Sequence, residues 1–248
     1  MTVAEIIKRL QYLGRPENVI GMARFGIVTK KAFGVAAPQL KEIAREIKKQ
    51  TNDRHSVALE LWNTGIHEAR AIAYLIDEPN LVTRKQMDAW ATDFDNWAIC
   101  DSCCGYLFDK TPFAYEKAFE WAERDEEFIK RAGIVLMAWL AVHDKKADDR
   151  KIAQFLPVLE QRADDERNFV KKAVHWSLTQ IGKRNLHLHR LAIETAERIK
   201  LQNTKPARWI AAGVLRELTS DAVRERLQKR SVADYACNLT KGKSAEYL

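Results

Sequence analysis

The sequence has 248 residues, of which 46% are hydrophobic and 30% are charged, and its formal net charge is +7. This length allows one large domain or two small ones with a sizeable core, and the apolar content excludes a disordered chain. With only 10 Gly and 6 Pro, the sequence is too poor in turn residues for a β-sandwich or a β-barrel.

Apolar residues recur at helical spacing along nearly the whole chain. They predict a first helix over 3–13 and another over 40–47, with Pro38 near its start. Further helices are predicted in pairs, at 57–62 with 69–76, 87–90 with 94–108, 113–121 with 128–142, 152–159 with 169–181, and 188–199 with 207–218, before a last helix at about 221–230. Residues 22–38 are the exception, because glycines and Pro38 interrupt the apolar pattern, and we expect a loop or a frayed turn there.

The second helices of these pairs share a pattern that indicates a repeat array. When they are aligned, a charged residue occupies the fourth position in each, and these residues are Arg70, Asp101, Arg131, Lys172 and Arg208. Their spacings of 31, 30, 41 and 36 residues are close to those of helical-pair repeats such as HEAT units. We therefore predict an all-α, HEAT-like helical-repeat solenoid, an α-α superhelix with a concave face lined by equivalent positions. A single domain is expected over 1–230, with a C-terminal tail over 231–248.

Asp101 is the one carboxylate in this row of cations. Helix interiors do not favour Asp, and burying an unpaired carboxylate costs several kcal/mol, so Asp101 needs either a partner cation or a function. Trp97 lies four residues earlier, on the same helix face. In the array we expect Trp97, Asp101, Arg131 and Trp176 to meet. The alternative is that the basic residues only cap repeats or pair with neighbouring carboxylates, and each Trp is as compatible with a core position as with a ligand surface.

The cysteine cluster at Cys100, Cys103 and Cys104 has the spacing of half a zinc site or a redox pair, but no second CxxC exists. We therefore favour small residues for close helix packing, and no metal site. Glu68 and Arg70 are expected to be charges on the repeat surface that can pair with other helices. The sequence carries no P-loop, no G-x-S-x-G and no H-E-x-x-H motif. It also has no apolar run long enough for a membrane span and no signal-peptide pattern, which predicts a cytosolic protein.

The charge is uneven along the chain. From Lys183 onward there are 14 Lys and Arg against 7 Asp and Glu, so the whole excess lies in the last quarter and the first 182 residues balance. Such a surplus fits either a solvated basic tail or a surface that binds a polyanion. By itself it does not separate nucleic acid from an acidic protein partner.

Several segments resemble the DNA alkylation repair proteins of the AlkD type, which are helical-repeat DNA glycosylases. They are MARFGIVTKKAFGVAAPQLKEIAREI (22–47), LWNTGIHEARAIAYLI (61–76), DNWAICDSCC (95–104), FIKRAGIVLMAWL (128–140) and FVKKAVHWSL (169–178). The resemblance rests on the order and spacing of these segments, which together cover about residues 1–230.

The resemblance implies roles for named residues. Asp101 would be the catalytic carboxylate, Trp97 and Trp176 the aromatic walls at the damaged nucleotide, and Arg131 a contact to the DNA backbone beside it. Basic residues on the concave, DNA-binding face would hold phosphates, namely Arg70, Lys130, Lys172 and Arg208. The implied partner is double-stranded DNA carrying alkylated bases, without a cofactor, a metal or a membrane, and the protein would be a monomer in the cytoplasm, associated with the nucleoid.

The activity implied is a monofunctional glycosylase for N3- and N7-alkylated purines, which serves base excision repair and does not cut the strand. Two alternatives remain open from the sequence. One is a non-catalytic helical-repeat protein that binds damaged or branched DNA, and the other is a helical-repeat scaffold for an acidic protein partner.

Overall fold

The structure is a computed structural model, and it describes residues 1–230. In that range the chain forms helices and no strands, which confirms the all-α prediction. The α-helices are α1 Val3–Leu13, α2 Pro16–Arg24, α3 Ala37–Gln50, α4 Arg54–Asn63, α5 His67–Ile76, α6 Arg84–Thr92, α7 Trp97–Tyr106, α8 Ala114–Ala122, α9 Glu127–His143, α10 Asp149–Ala153, α11 Phe155–Gln161, α12 Asn168–Gly182, α13 Leu186–Leu201 and α14 Lys205–Leu218. A short 3-10 helix covers Phe108–Lys110, and a further helical segment spans 221–230.

Two predicted segments differ most from the structure. In the segment predicted as a loop or frayed turn over 22–38, residues 22–24 belong to α2 and residues 37–38 belong to α3. Helix α2 has no apolar stripe because it buries none of its residues, although Pro16 occupies a first-turn position that proline favours. The helix predicted over 152–159 is instead broken between α10 and α11. Pro157 explains the break, since it has no N–H for the carbonyl of Ala153 and its ring clashes there.

Packing divides the chain into two compact units, Met1–Leu136 and the residues from Met137 onward, with the division inside α9. The single domain over 1–230 stays a prediction, and the predicted tail over 231–248 lies outside the described residues. No helix in the described part of the chain is long and apolar enough to cross a membrane.

The first unit is built on buried aromatic side chains. Trp62 of α4 stacks on Trp90 of α6 with ring centroids 3.9 Å apart and planes 3° from parallel. Two of the buried indoles have hydrogen-bonded N–H groups, since Trp62 Nε1 donates to Asp93 at 2.8 Å and Trp121 Nε1 donates to Asp88 at 2.9 Å. Helix α5 packs between α3, α4 and α7, so successive second helices α5 and α7 lie side by side, as the repeat pattern predicts.

Glu68 corrects the expectation of a surface charge, since it is buried in α5. Its carboxylate accepts the backbone N–H groups of Phe33, Gly34 and Val35, the shortest at 2.6 Å. These charge-assisted hydrogen bonds fasten the connection after α2 to the core. Gly34 has φ +80, and a Cβ there would lie 2.1 Å from the Arg15 carbonyl oxygen, so this close approach requires glycine.

The second unit packs α12, α13 and α14 against one another. Gly182, at the end of α12, makes room for Leu218 and Ala192, because a Cβ there would lie 2.6 Å from the Leu218 side chain. The buried Arg184 follows α12 and donates to the carbonyls of Ala141 and Ala147 at 2.7 and 2.8 Å. Its guanidinium thereby satisfies backbone acceptors at and beyond the end of α9.

Candidate functional site

Helix α7 carries the central residues of the site. Asn96 is its N-cap, and the buried Asn96 side chain accepts the N–H groups of Ala98 and Ile99 at 3.0 and 3.2 Å. This cap fixes where the helix begins. Trp97 is therefore the first residue of α7, and Asp101 follows one turn later on the same side.

Asp101 is paired with Arg131 of α9. Arg131 Nε donates to Oδ1 at 2.8 Å and Nη2 donates to Oδ2 at 2.6 Å. This two-point contact is the geometry in which a guanidinium and a carboxylate match best. The Arg131 side chain is 8% exposed and that of Asp101 is 18% exposed, so the carboxylate is held rigidly but still reaches solvent. Of the two alternatives that the sequence left open for Asp101, a partner cation or a function, the partner cation is present as the aligned residue of the next repeat, Arg131.

Burial and pairing shift the pKa of both members of this pair. Burial raises the pKa of the Asp101 carboxyl above its ordinary value, although the Arg131 guanidinium opposes this rise. Burial also opposes the charge on Arg131, but pairing with Asp101 outweighs it and raises the pKa of the guanidinium. Arg131 is therefore charged at every pH of interest, and Asp101 is the member of the pair that titrates.

Gly133 explains how α9 comes close enough for this pairing. It lies two residues after Arg131, and a Cβ there would lie 2.4 Å from the backbone nitrogen of Ala122. Only glycine allows α9 to approach the backbone of α8 at this point. The close packing of the two helices of one repeat fixes the position from which Arg131 projects.

Trp97 is half-buried beside this pair on α7, and its indole Nε1 donates to the carbonyl of Phe25 at 2.9 Å. Phe25 follows directly after α2, and its own side chain is exposed. The hydrogen bond fixes the orientation of the indole ring and couples it to the connection that Glu68 holds. Nothing in the sequence indicated this partner, because the acceptor is a backbone carbonyl 72 residues away.

Two of the predicted phosphate-binding residues in the first unit are largely enclosed. Arg70 forms an ion pair with Asp93 at 3.1 Å and lies 5.1 Å from the centroid of the Trp62 ring. Its guanidinium therefore contacts both α4, which carries Trp62, and Asp93, the residue that directly follows α6. Lys130 is buried. A phosphate contact for either residue stays a prediction.

The remaining predicted residues lie in the second unit. Trp176 of α12 is half-buried and meets Trp139 edge to face, with ring centroids 5.3 Å apart. Lys172, one turn earlier, and Arg208 of α14 are both exposed. Arg208 donates to the side chain and carbonyl of Asn203 at 2.8 and 2.7 Å, so its charge is not neutralised by that contact. The expected meeting of Trp176 with Trp97, Asp101 and Arg131 stays a prediction.

The three clustered cysteines are buried free thiols. Cys100 and Cys104 direct their sulfurs at the carbonyls of Phe128 and Ala132 on α9, at 3.6 and 3.7 Å. Burial raises the pKa of the Cys103 and Cys104 thiols, which keeps them as inert thiols. Their small side chains let α7 and α9 pack closely. Among residues 1–230 no group of three or more side chains is arranged to hold a metal ion.

Comparisons with known proteins agree with this architecture. Residues 6–225 match the model of a protein family described as DNA alkylation repair enzyme. A solved structure with a TM-score of 0.74 and 23% sequence identity covers 92% of this chain and 96% of its own chain. That protein is described as belonging to a new family related to the HEAT-like repeat DNA glycosylases with affinity for branched DNA structures, and the likeness establishes the HEAT-like repeat fold. No match was found among curated proteins.

Proposed function

The chain belongs to the family of DNA alkylation repair enzymes, and we propose that it is a monofunctional DNA glycosylase for N3- and N7-alkylated purines in duplex DNA. The observation that carries this proposal is the carboxylate of Asp101. Arg131 fixes it at two points, it remains partly exposed, and it lies one turn from the half-buried Trp97.

Alkylation at N3 or N7 gives the purine a positive charge and makes it a good leaving group. The bond between the sugar C1′ and the purine nitrogen breaks, and its electron pair neutralises the departing base. The sugar then becomes oxocarbenium-like, and a fixed carboxylate such as Asp101 stabilises that charge. Water adds at C1′ and gives its proton to the carboxylate or to solvent, which completes the hydrolysis.

Arg131 acts on this chemistry as a positioning residue. Its two hydrogen bonds to Asp101 restrict the carboxylate to one orientation, and its positive charge favours the ionised form against the effect of burial. Preorganised charge in a partly enclosed site is worth more than the same charge in water. In this proposal Arg131 also contacts the DNA backbone beside the lesion.

Aromatic and basic residues supply the binding surface. The faces of Trp97 and Trp176 attract a cationic nucleobase and pack on the sugar. Lys172 and Arg208 are exposed and would neutralise phosphates, with Arg70 and Lys130 as further contacts. No Schiff-base lysine is needed, so no strand cleavage is expected. The protein would act as a monomer on nucleoid DNA in the cytoplasm, without a cofactor.

The direct test is to incubate the protein with duplex DNA methylated by a simple alkylating agent and to measure free bases by mass spectrometry. We expect release of 7-methylguanine or 3-methyladenine, and an intact strand until the abasic site is cut by alkali. No release under saturating protein would contradict the proposal.

A second candidate function is a non-catalytic protein that binds damaged or branched DNA. It is favoured by the description of the structurally similar protein, which has affinity for branched DNA structures. This candidate predicts binding that weakens steeply with salt, because cations on the protein replace counterions on the phosphates. A measurement of base release distinguishes the two functions, because only a glycosylase releases free bases.

A further inference from the structure

Trp209 differs from the other tryptophans in its exposure. Of the seven in the sequence, three are buried (Trp62, Trp90 and Trp121) and three are half-buried (Trp97, Trp139 and Trp176). Trp209, near the start of α14, is 45% exposed. An indole left in water forgoes the favourable burial of a large apolar surface, and tryptophan is highly buried on average. Its exposure therefore favours a binding role over a packing role.

The indole of Trp209 is nevertheless held in place. Lys171 Nζ lies 4.8 Å from its ring centroid, in a cation–π contact, and the ring of His175 lies 5.5 Å away at an angle of 51°. Gly213, one turn after Trp209, makes room for that imidazole, because a Cβ there would lie 2.7 Å from His175 Nε2. Burial lowers the pKa of His175, so the imidazole is neutral at neutral pH and adds no charge beside Lys171.

The helices that carry this cluster are strongly basic. Helix α12 contains no Asp or Glu, and α14 contains only Glu217, which forms an ion pair with Lys183. Five cations on these two helices have no carboxylate partner within residues 1–230, namely Lys171, Lys172, Lys205, Arg208 and Arg216. An exposed indole inside an uncompensated basic surface combines the two elements that bind single-stranded nucleic acid, a stacking platform and cations for the backbone.

We propose that Trp209, Lys171 and Arg208 form a subsite for single-stranded DNA, in which an unpaired base stacks on the indole and the cations bind the flanking phosphates. Inside a continuous duplex, paired bases present only their edges in the grooves, whereas unpaired nucleotides expose the faces that can stack on an aromatic ring. The subsite would therefore distinguish a fork, a junction or a single-stranded end from a continuous duplex. This inference rests on the DNA-binding part of the proposed function but not on its glycosylase chemistry.

The test is fluorescence anisotropy at one fixed salt concentration, with a labelled blunt duplex and a forked DNA that has the same paired sequence. Stacking on an aromatic side chain is worth enough that Trp209→Ala should weaken fork binding about tenfold, while duplex binding changes less than about twofold. Trp209→Phe should keep most of the fork preference, because it keeps an aromatic ring. Arg208→Gln should weaken binding of both DNAs at this salt concentration, and titrations repeated over a series of salt concentrations should show a smaller salt dependence than for the wild type.

Leu201→Ala is the matched control, since Leu201 is an apolar side chain of α13 that is 81% exposed, and it should bind both DNAs like the wild type. An unchanged fork preference in Trp209→Ala, or an equal loss on fork and duplex, would overturn the subsite. The subsite would also be overturned, in favour of an acidic protein partner, by two results together. A poly-glutamate peptide would compete with DNA only when Trp209 is present, and the wild-type protein would bind fork and duplex equally.

Base release, measured on the same proteins, separates the two proposals. If wild-type protein releases no methylated base yet its fork binding depends on Trp209, the glycosylase proposal fails and the subsite stands. If base release is normal and Trp209→Ala binds the fork like the wild type, the subsite fails and the glycosylase proposal stands.

Discussion

Arg131 holds both carboxylate oxygens of Asp101, with N–O distances of 2.8 and 2.6 Å, in a pair that is largely withdrawn from solvent. An apolar pair of similar volume would often stabilise such a position as well or better, because desolvating two charges costs several kcal/mol per ion. Stability alone is therefore a weak reason for this pair. A carboxylate that is fixed in direction and still reaches solvent is what the proposed chemistry needs.

Replacing Arg131 by Met should lower the free energy of unfolding by about 3–5 kcal/mol, because the largely desolvated Asp101 carboxylate loses its cationic partner. Urea unfolding followed by circular dichroism measures this. Arg124→Met, which removes the exposed pair with Glu126, is the matched control and should unfold like the wild type. The double variant Asp101→Leu/Arg131→Met should recover most of the stability without recovering base release. A single-variant loss no larger than that of Arg124→Met would contradict the ion-pair interpretation.

Base release should fall on the acid side of neutrality. The carboxylate must be ionised to stabilise the sugar cation, and burial raises the pKa of Asp101. Activity is therefore complete above that raised pKa and is lost as the pH falls through it. A single-turnover pH profile should show this acid limb above the ordinary aspartate value of about 3.9. A limb at or below that value, after correction for unfolding and for spontaneous depurination, would show that Asp101 titrates as an ordinary exposed carboxyl.

The indole of Trp97 should contribute its aromatic face more than its hydrogen bond. Trp97→Phe keeps a ring but loses the donor to the Phe25 carbonyl, and since that hydrogen bond is exposed, water replaces it at a cost below about 1 kcal/mol. Trp97→Ala should reduce single-turnover base release by at least about tenfold, by removing the cation–π and sugar contacts. Equal rates for Trp97→Ala and wild type would remove Trp97 from the site.

Glu68 should anchor the connection that precedes α3. Glu68→Gln has the same shape but weakens the charge-assisted hydrogen bonds to the N–H groups of Phe33, Gly34 and Val35. We expect a loss of about 1–3 kcal/mol in the free energy of unfolding. Amide hydrogen exchange should accelerate most at residues 33–35. Glu17→Gln on α2 is the control, because Glu17 is exposed. Equal rates of amide exchange at residues 33–35 in Glu17→Gln and Glu68→Gln would argue against this anchor.

Helical periodicity predicted most of the fold because nearly every helix has a continuous apolar face. The alignment of the second helices was also informative. Asp101, Arg131 and Lys172 are each the fifth residue of their helix, while Arg70 and Arg208 are the fourth of theirs. The alignment of the repeats can therefore be recognised in the sequence. It placed Asp101 and Arg131 at equivalent positions of successive repeats.

Other features depend on contacts that no local pattern encodes. Glu68 looks like a surface charge because its partners are backbone N–H groups, which have no residue signature. Helix α2 was not predicted because none of its residues is buried. Trp209 stands next to a predicted DNA contact, Arg208, but the exposure that sets it apart from the other tryptophans is a property of packing. By contrast, the break between α10 and α11 has a local signal in the sequence, because Pro157 has no N–H for the carbonyl four residues earlier.

In the proposed mechanism the Asp101 carboxylate stabilises the sugar cation that forms during base excision. The most direct measurement compares wild type and Asp101→Asn on the same methylated duplex, with released bases quantified by mass spectrometry under single-turnover conditions and binding measured in parallel. Loss of a preorganised charge should reduce release at least about 100-fold, with binding of the duplex changed by less than about threefold. Release by Asp101→Asn at the wild-type rate would contradict the account.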